Sequence, residues 1–294
     1  MNQNVYYTRL GENLAKKKYL SKEVISRNLE TIGKIIKDCQ TYLLSKKHPT
    51  LISRIEIIAT ESLRSAKNNS EFTHDVKKKF GLDVRILSEQ EEAFYTYYSN
   101  KFPKNIPVLD IGGGSTELVF PLKTTTLKND LSTRLSISTH SFPVGSVYLK
   151  DLCKKNFIDF PNIEIFLEHN FQILKEIIHT QAFNDNLKKN EMIIGVGGTF
   201  FNIAKFHVRK ENINFKKMEG LVISIDDFKR ILNEICNSPF SFFKEDGSSD
   251  VLPFGVTIVL YLLPKLQVKK IIISCKGVRH GYAESILTSL NEKS

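Results

Sequence analysis

The 294-residue chain has no tryptophan, only three methionines, and four cysteines scattered from one end to the other. Cys39, Cys153, Cys236 and Cys275 make no CxxC pair and no Cys/His ligand spacing, so neither a zinc site nor a disulfide framework is indicated. No apolar run approaches the length of a membrane span, and the start, MNQNVYYTRLGENL, lacks the apolar core of a signal peptide. The expectation is a cytoplasmic protein with no membrane association. Internal repeats, low-complexity tracts and Pro/Gly/Ser-rich linkers are also missing. No Ser/His/Asp ordering stands out among the seven histidines; His280 lies close to a glycine turn and is assigned no chemistry.

What is present is ordinary for a globular protein: 41% hydrophobic and 25% charged residues. The length allows one large or two medium domains. The net charge is +10, from 42 basic and 32 acidic residues. Residues 1–105 hold 19 basic and 12 acidic side chains, so 19 − 12 = 7 of that excess sits in the first third. A basic lobe concentrates an acidic partner at its surface, whether nucleic acid, polyphosphate or a highly phosphorylated nucleotide. The runs Lys16-Lys17-Lys18 and Lys77-Lys78-Lys79 read equally well as solvated helix faces.

Apolar spacing at Val24, Leu29, Ile32, Ile35, Ile36 and Leu43 predicts a helix over 21–46, with Ser21 as its N-cap. A strand at 55–59 leads into a helix from about Thr60, and a strand near 84–87 into a helix from Ser88 to about Tyr98. The connector 101–107 carries two prolines and marks a junction between lobes. Beyond it, strands alternate with helices, notably 192–196 and 270–274, each running into a helix. This pattern predicts an α/β fold with helices on both faces of mixed sheets.

The densest chemistry lies in Val108-Leu109-Asp110-Ile111-Gly112-Gly113-Gly114-Ser115-Thr116-Glu117. Glycines allow unusual dihedrals and let backbone N–H groups approach an anion. Ser115 and Thr116 add hydroxyls, while Asp110 and Glu117 offer the oxygen ligands that Mg²⁺ prefers. A second glycine loop, Gly195-Val196-Gly197-Gly198-Thr199, stands between a strand and a helix and suits another phosphate. Phe200 replaces the last glycine of a dinucleotide fingerprint, which rules that fingerprint out. The turns Pro143-Val144-Gly145-Ser146 and Gly277-Val278-Arg279-His280-Gly281 also open helices and are weak signals. Ser88 and Glu91 fit a capping box. Glu92 is then left over, either as one more acid favoured by the helix dipole or as a carboxylate that activates water. Arg64 is either a surface helix residue or a planar donor fork for phosphate.

Taken in order, the segments ATESLRSAKN (59–68), ILSEQEEA (86–93), VLDIGGGSTELVF (108–120), FPVGSVYL (142–149), IIGVGGTFFNIA (193–204), SDVLPFG (249–255) and ISCKGVRHGYAESIL (273–287) resemble the exopolyphosphatase/guanosine pentaphosphate phosphohydrolase family (Ppx/GppA). The resemblance implies two ribonuclease-H-like lobes of the actin-like ATPase and sugar-kinase superfamily, with the active site between them. The lobes would be 1–105 and 106–294, the last helix packing back on the first lobe. It implies Glu92 as the group that activates the attacking water, Asp110 and Glu117 as the acids that organise Mg²⁺, and Arg64, Gly112, Gly113, Gly114 and Ser115 as phosphate ligands. Gly197, Gly198 and Thr199 match the second-lobe glycine loop. The implied substrate is inorganic polyphosphate, pppGpp or both, with no specific nucleic acid partner and a homodimer left open.

Three departures from the family pattern set further expectations. Family members start with a strand and an Asp-x-Gly-Ser-Asn type first phosphate loop, ahead of the segment that here reads Thr8-Arg9-Leu10-Gly11-Glu12-Asn13-Leu14. With Met1 almost on that segment, the N-terminal lobe is expected to lack its first strands and that loop. Glu89 replaces a glycine before the acidic run, and Ser248 a basic residue; the helical extension of long members is also absent after Ser294. Loss of the first loop leaves an alternative to a phosphohydrolase, a family member that binds alarmone or polyphosphate without turnover; a kinase of the same superfamily is a further alternative, against which Glu92 in its family-specific position argues.

Overall fold

The structure is a computed structural model of the chain that describes residues 6, 8–12, 14–45, 55–100, 106–122, 137–156, 160–187, 191–209, 215–237 and 250–291. The chain divides into two compact units, Met1–Glu92 and Ala93–Ser294. The division falls inside a helix, upstream of the proline-bearing connector, whose residues 101–105 lie outside the described residues.

The first unit runs α1 (Leu14–Lys17), α2 (Lys22–Ser45), β1 (Ile57–Ala59), α3 (Glu61–Ser65), α4 (Asn69–Phe80) and β2 (Val84–Ile86). β1 and β2 pair in parallel, with Ile57 opposite Val84 and Ala59 opposite Ile86. Helix α2 starts where its cap predicts: the Val24 N–H donates to Ser21 Oγ at 3.3 Å. Val24 and Ile25 join Leu63, Phe72 and Val76 in one apolar cluster, and Leu29 and Ile32 pack against it. The stripe then fades, and Ile35 is exposed.

The helix expected from Thr60 is instead two helices, broken at Ala66, whose backbone is extended. The cause is tertiary. Asn68 turns its side chain to Leu20, accepting from its N–H at 2.8 Å and donating to its carbonyl at 3.0 Å. An asparagine that bonds a distant backbone in this way competes with continued helix.

Helix α5 (Glu89–Ser99) begins in the first unit and ends in the second. The second unit continues with β3 (Val108–Ile111), β4 (Thr116–Pro121), β5 (Ile137–Phe142), α6 (Ser146–Asn156), α7 (Phe160–Asn170), α8 (Leu174–Ile178), α9 (Gln181–Leu187), β6 (Met192–Val196), α10 (Gly197–Val208), α11 (Phe215–Met218), β7 (Val222–Ser224), α12 (Ile225–Asn237), α13 (Leu252–Lys265), β8 (Lys270–Ile273) and α14 (Val278–Asn291). Its six strands lie in the order β5-β4-β3-β6-β8-β7. β3, β4 and β5 form an antiparallel meander, β6 and β8 run parallel to β3, and β7 returns antiparallel at the edge.

Alternation along the strands gives the sheet two apolar faces. Val108, Val119, Ile194 and Val196 meet Ala93 and Tyr97 of α5 on one face. Leu109, Ile111, Leu118, Phe120, Ile193, Ile271 and Ile273 meet side chains of α10, α12 and α13 on the other. Helix α14 lies against α5 so closely that a Cβ on Gly281 would run into the Tyr95 carbonyl, with the Tyr95 and Tyr282 rings edge to face at 5.2 Å. Gly281 is therefore a close-approach glycine and not merely the end of a turn.

Candidate functional site

In the larger unit the conspicuous feature is the hairpin β3–β4. The register sets Asp110 opposite Glu117 and Ile111 opposite Thr116, leaving residues 112–115 as the loop. Directly opposed side chains on an antiparallel pair have Cβ atoms about 5 Å apart, and like charges placed so repel. Both carboxylates share the α5 face of the sheet with Val108 and Val119, and both are partly exposed. Ser141 of β5 donates to Glu117 Oε1 at 3.2 Å.

The loop's glycines serve a different purpose from the one their composition predicts. None of Gly112, Gly113 and Gly114 lies in the left-handed region, so unusual dihedrals are not what the loop needs. It needs room. The Gly112 carbonyl accepts from the Ser146 N–H at 3.0 Å and the Ser146 hydroxyl at 3.2 Å, and the Gly113 carbonyl accepts from the Val147 and Tyr148 N–H groups at 2.9 Å each. A Cβ on Gly145 would collide with the Gly113–Gly114 backbone. Thr116 Oγ1 closes the seam by donating to the Val144 carbonyl at 2.6 Å.

The first turn of α6 is thus saturated by loop carbonyls. With those carbonyls turned to α6, the N–H groups of Gly113, Gly114 and Ser115 meet no protein acceptor among the described residues. Successive unclaimed N–H groups of this kind form an anion-binding concavity. Gly145 and Ser146, which sequence reading passes over as a simple turn, are what build it.

The second loop works by backbone conformation. Val196 ends β6 opposite Asp110, and Gly197 opens α10 with φ +91°. A Cβ there would strike Asp110 Oδ1, so the aspartate and the helix start are in direct apposition. No side chain caps α10, which leaves the amides of Gly197, Gly198 and Thr199 at the positive end of the helix dipole. Thr199 itself is buried with its methyl group against Gly255, so its contribution at this edge is its backbone N–H. Phe200, which breaks the dinucleotide fingerprint, is fully buried against Gly195.

Asp110 and Glu117 suit a hard cation. They supply oxygen alone, and among the described residues no group of three or more His, Cys, Asp or Glu forms a closed metal cage. A metal on this pair would complete its shell with water and phosphate, the coordination that Mg²⁺ favours.

In the smaller unit the structure brings Arg64 and Glu92 together. Arg64 Nη1 donates to the Leu87 carbonyl at 2.7 Å and to Glu92 Oε2 at 3.1 Å, while Nη2 donates to Glu61 Oε2 at 3.0 Å. Burial pushes the Glu92 carboxyl above the ordinary carboxylate range; Arg64 opposes this, and Glu61 and Glu89 add to it. Glu91 closes the capping box: its carboxylate accepts from the Ser88 N–H at 3.0 Å and its own N–H donates to Ser88 Oγ at 3.2 Å, while its other carboxylate oxygen accepts from Arg85 at 2.7 Å. Its carboxyl is held low, first by that Ser88 N–H.

Two more segments find places. Asp250 of SDVLPFG pairs with Lys150 of α6; Ser248 lies outside the described residues. His280 accepts from the Gly277 N–H at 3.2 Å, and burial, with Arg279 and Lys276 nearby, pushes its pKa down to about 4. Its ring is neutral at physiological pH.

An antiparallel meander extended by parallel strands, with glycine loops at the strand ends, defines the class: this is the actin-like ATPase fold. The crystal structure of the Aquifex aeolicus Ppx/GppA family member matches it with a TM-score of 0.71 at 24% identity, over 97% of this chain and 88% of that one. The sequence profile of the Ppx/GppA phosphatase family matches residues 1–290, and the chain belongs to that family. It is 29% identical over 199 residues to a bifunctional 3-dehydroquinate synthase/phosphatase of Fusobacterium nucleatum, covering 65% of this chain and 27% of that protein. It is 22% identical over 263 residues to a guanosine-5'-triphosphate,3'-diphosphate pyrophosphatase of Pseudoalteromonas atlantica, covering 81% and 45%. The chain thus spans less than half the length of these two curated relatives.

Proposed function

We propose that this chain is a Mg²⁺-assisted phosphohydrolase that releases the terminal phosphate of inorganic polyphosphate, of pppGpp, or of both. One observation carries the reading. The 112–115 loop turns its carbonyls into α6 and leaves successive N–H groups unclaimed, directly after a pair of opposed carboxylates. That combination suits phosphate oxygens and a hard cation together.

In this reading Asp110 and Glu117 hold Mg²⁺, which supplies neutralising charge to the phosphoryl oxygens. The amides of Gly113, Gly114 and Ser115 bind phosphate, with Gly112 fixing the loop. The amides of Gly197, Gly198 and Thr199 offer a second phosphate position, and Arg64 donates to phosphate oxygen. Glu92 takes a proton from the attacking water. The water oxygen bonds to the terminal phosphorus, the P–O bond to the next phosphate breaks, and the electron pair leaves on that phosphate. A carboxylate raised by burial is a stronger base than a solvated one, which suits Glu92 to the task.

A second reading, binding without turnover, draws on the ion pair itself, because Arg64 occupies Glu92 Oε2. Phosphate release from polyphosphate and pppGpp, followed across a Mg²⁺ titration, separates the two. The hydrolase reading expects Mg²⁺-dependent release that collapses in Glu92→Gln. Release that survives this substitution removes Glu92 as the base. Calorimetric binding without release establishes the second reading.

A further inference from the structure

The register places three polar side chains in one row across the larger unit's sheet. Asp110 on β3 stands opposite Glu117 on β4, and Glu117 stands opposite Ser141 on β5. Directly opposed residues project from the same face, and the strand order puts Ser141 on the side of Glu117 away from Asp110. The Ser141 hydroxyl donates to Glu117 Oε1 at 3.2 Å. One carboxylate oxygen is thereby drawn toward β5, away from the like charge on β3.

Folding asks little of this hydroxyl. Ser141 is exposed on the strand that ends the sheet among the described residues, where water serves a hydroxyl as well as a carboxylate does. What the bond does change is the orientation of Glu117. The terminal torsion of a glutamate is broad and roughly two-fold, so an untethered carboxylate swings easily, and a donor on one oxygen narrows the swing. Orientation matters because hard cations use carboxylates differently. Ca²⁺ takes many oxygens in flexible geometry and often both oxygens of one carboxylate, whereas Mg²⁺ is smaller, demands near-octahedral geometry and keeps several waters.

We propose that Ser141 is a positioning residue that presents Glu117 to a cation through a single oxygen, and so tunes the Asp110–Glu117 pair toward Mg²⁺ and against Ca²⁺. The inference rests on the Mg²⁺-assisted reading above and adds the group that sets cation choice. Chelation needs both Glu117 oxygens turned to one ion, which distorts or breaks the bond to Ser141. Mg²⁺ leaves that bond in place. Removing the hydroxyl therefore costs the Mg²⁺ complex a tether and relieves the Ca²⁺ complex of a penalty.

The test is calorimetric binding of Mg²⁺ and of Ca²⁺ to the whole chain, with and without inorganic phosphate, for wild type, Ser141→Ala and Ser141→Thr. Thr139→Val, a hydroxyl deletion on the same strand opposite Val119, is the control, and circular dichroism verifies folding. Partners of metal ligands are worth about 10- to 100-fold in metal affinity. For an exposed hydroxyl we expect the lower end, with Ser141→Ala weakening Mg²⁺ binding about tenfold and leaving Ca²⁺ binding equal or tighter. Ser141→Thr should keep the wild-type preference, and Thr139→Val should shift neither ion. In steady-state phosphate release the Mg²⁺ concentration for half-maximal rate should rise by the same factor in Ser141→Ala, with kcat at saturating Mg²⁺ unchanged. Unaltered Mg²⁺ affinity in Ser141→Ala, equal weakening for both ions, or a threonine that fails to restore the preference overturns the inference. If wild type binds Mg²⁺ but releases no phosphate, the phosphohydrolase reading fails and calorimetry still decides the role of Ser141. If wild type binds neither ion, with or without phosphate, the metal pair and its positioning residue fall together.

Discussion

In the Met1–Glu92 unit the groups able to meet an anion or move a proton are side chains. Arg64 is held by Glu61, Glu92 and the Leu87 carbonyl, on a scaffold of two short parallel strands. In the Ala93–Ser294 unit the corresponding groups are backbone amides, at residues 113–115 and at the start of α10, mounted on a six-stranded sheet. The two kinds of group are fixed by different means. A side chain is fixed by its partners, and swapping it changes charge and chemistry. An amide is fixed by what lies behind it, and only a change that moves the backbone can displace it.

The largest effect expected from this contrast is in the smaller unit. Glu92→Gln should lower kcat by about 10²- to 10⁴-fold, the usual worth of a positioned acid or base, with thermal stability nearly unchanged; single-turnover phosphate release measures it.

In the larger unit the equivalent blow falls behind the loop. Gly145→Ala drives a methyl group into the Gly113–Gly114 backbone, and we expect about 1–3 kcal/mol of destabilisation together with weaker phosphate binding, read by denaturant unfolding and calorimetry. Unfolding without any change in affinity for phosphate would break the link between that seam and the loop.

A subtler test returns to Arg64. Its positive charge opposes the upward push of burial on Glu92. Arg64→Gln should therefore move the acid limb of the pH–rate profile to higher pH, so that activity is lost first under mildly acid conditions. A limb that stays in place would separate Glu92 from the titration.

The smallest effect is expected at Gly114, where a Cβ meets nothing within 4 Å and φ is not left-handed. Gly114→Ala should leave stability within about 0.5 kcal/mol of wild type by denaturant unfolding.

Local signals were legible in the sequence where the physics is local. The Ser21 cap, the Ser88–Glu91 box and the strands at Met192–Val196 and Lys270–Ile273 all stand where periodicity and capping put them. Asp110 and Glu117 stood out in the sequence as carboxylates flanking the glycines, but that they stand opposite each other on a hairpin comes from the register of β3 and β4. What escaped sequence reading depends on contacts between distant segments. The break at Ala66 comes from Asn68 bonding Leu20, 48 residues away. Gly145 and Gly281 look like punctuation until the backbone each one touches is known. The three consecutive glycines were read for dihedral freedom, whereas space for α6 is what their loop requires.

Helix α5 holds one more consequence. From Ala93 to Ser99 its side chains are buried on every side, so the helix is amphipathic along its length and not around its girth. With 3.6 residues per turn, inserting or deleting one residue just after Glu92 would swing that carboxylate through about 100° while the buried turns stayed in place. The length of this segment is therefore as constrained as its composition. Among descendants of this gene, substitutions at the exposed Glu89 and Gln90 should be far commoner than any change in the count of residues between Glu92 and Tyr95.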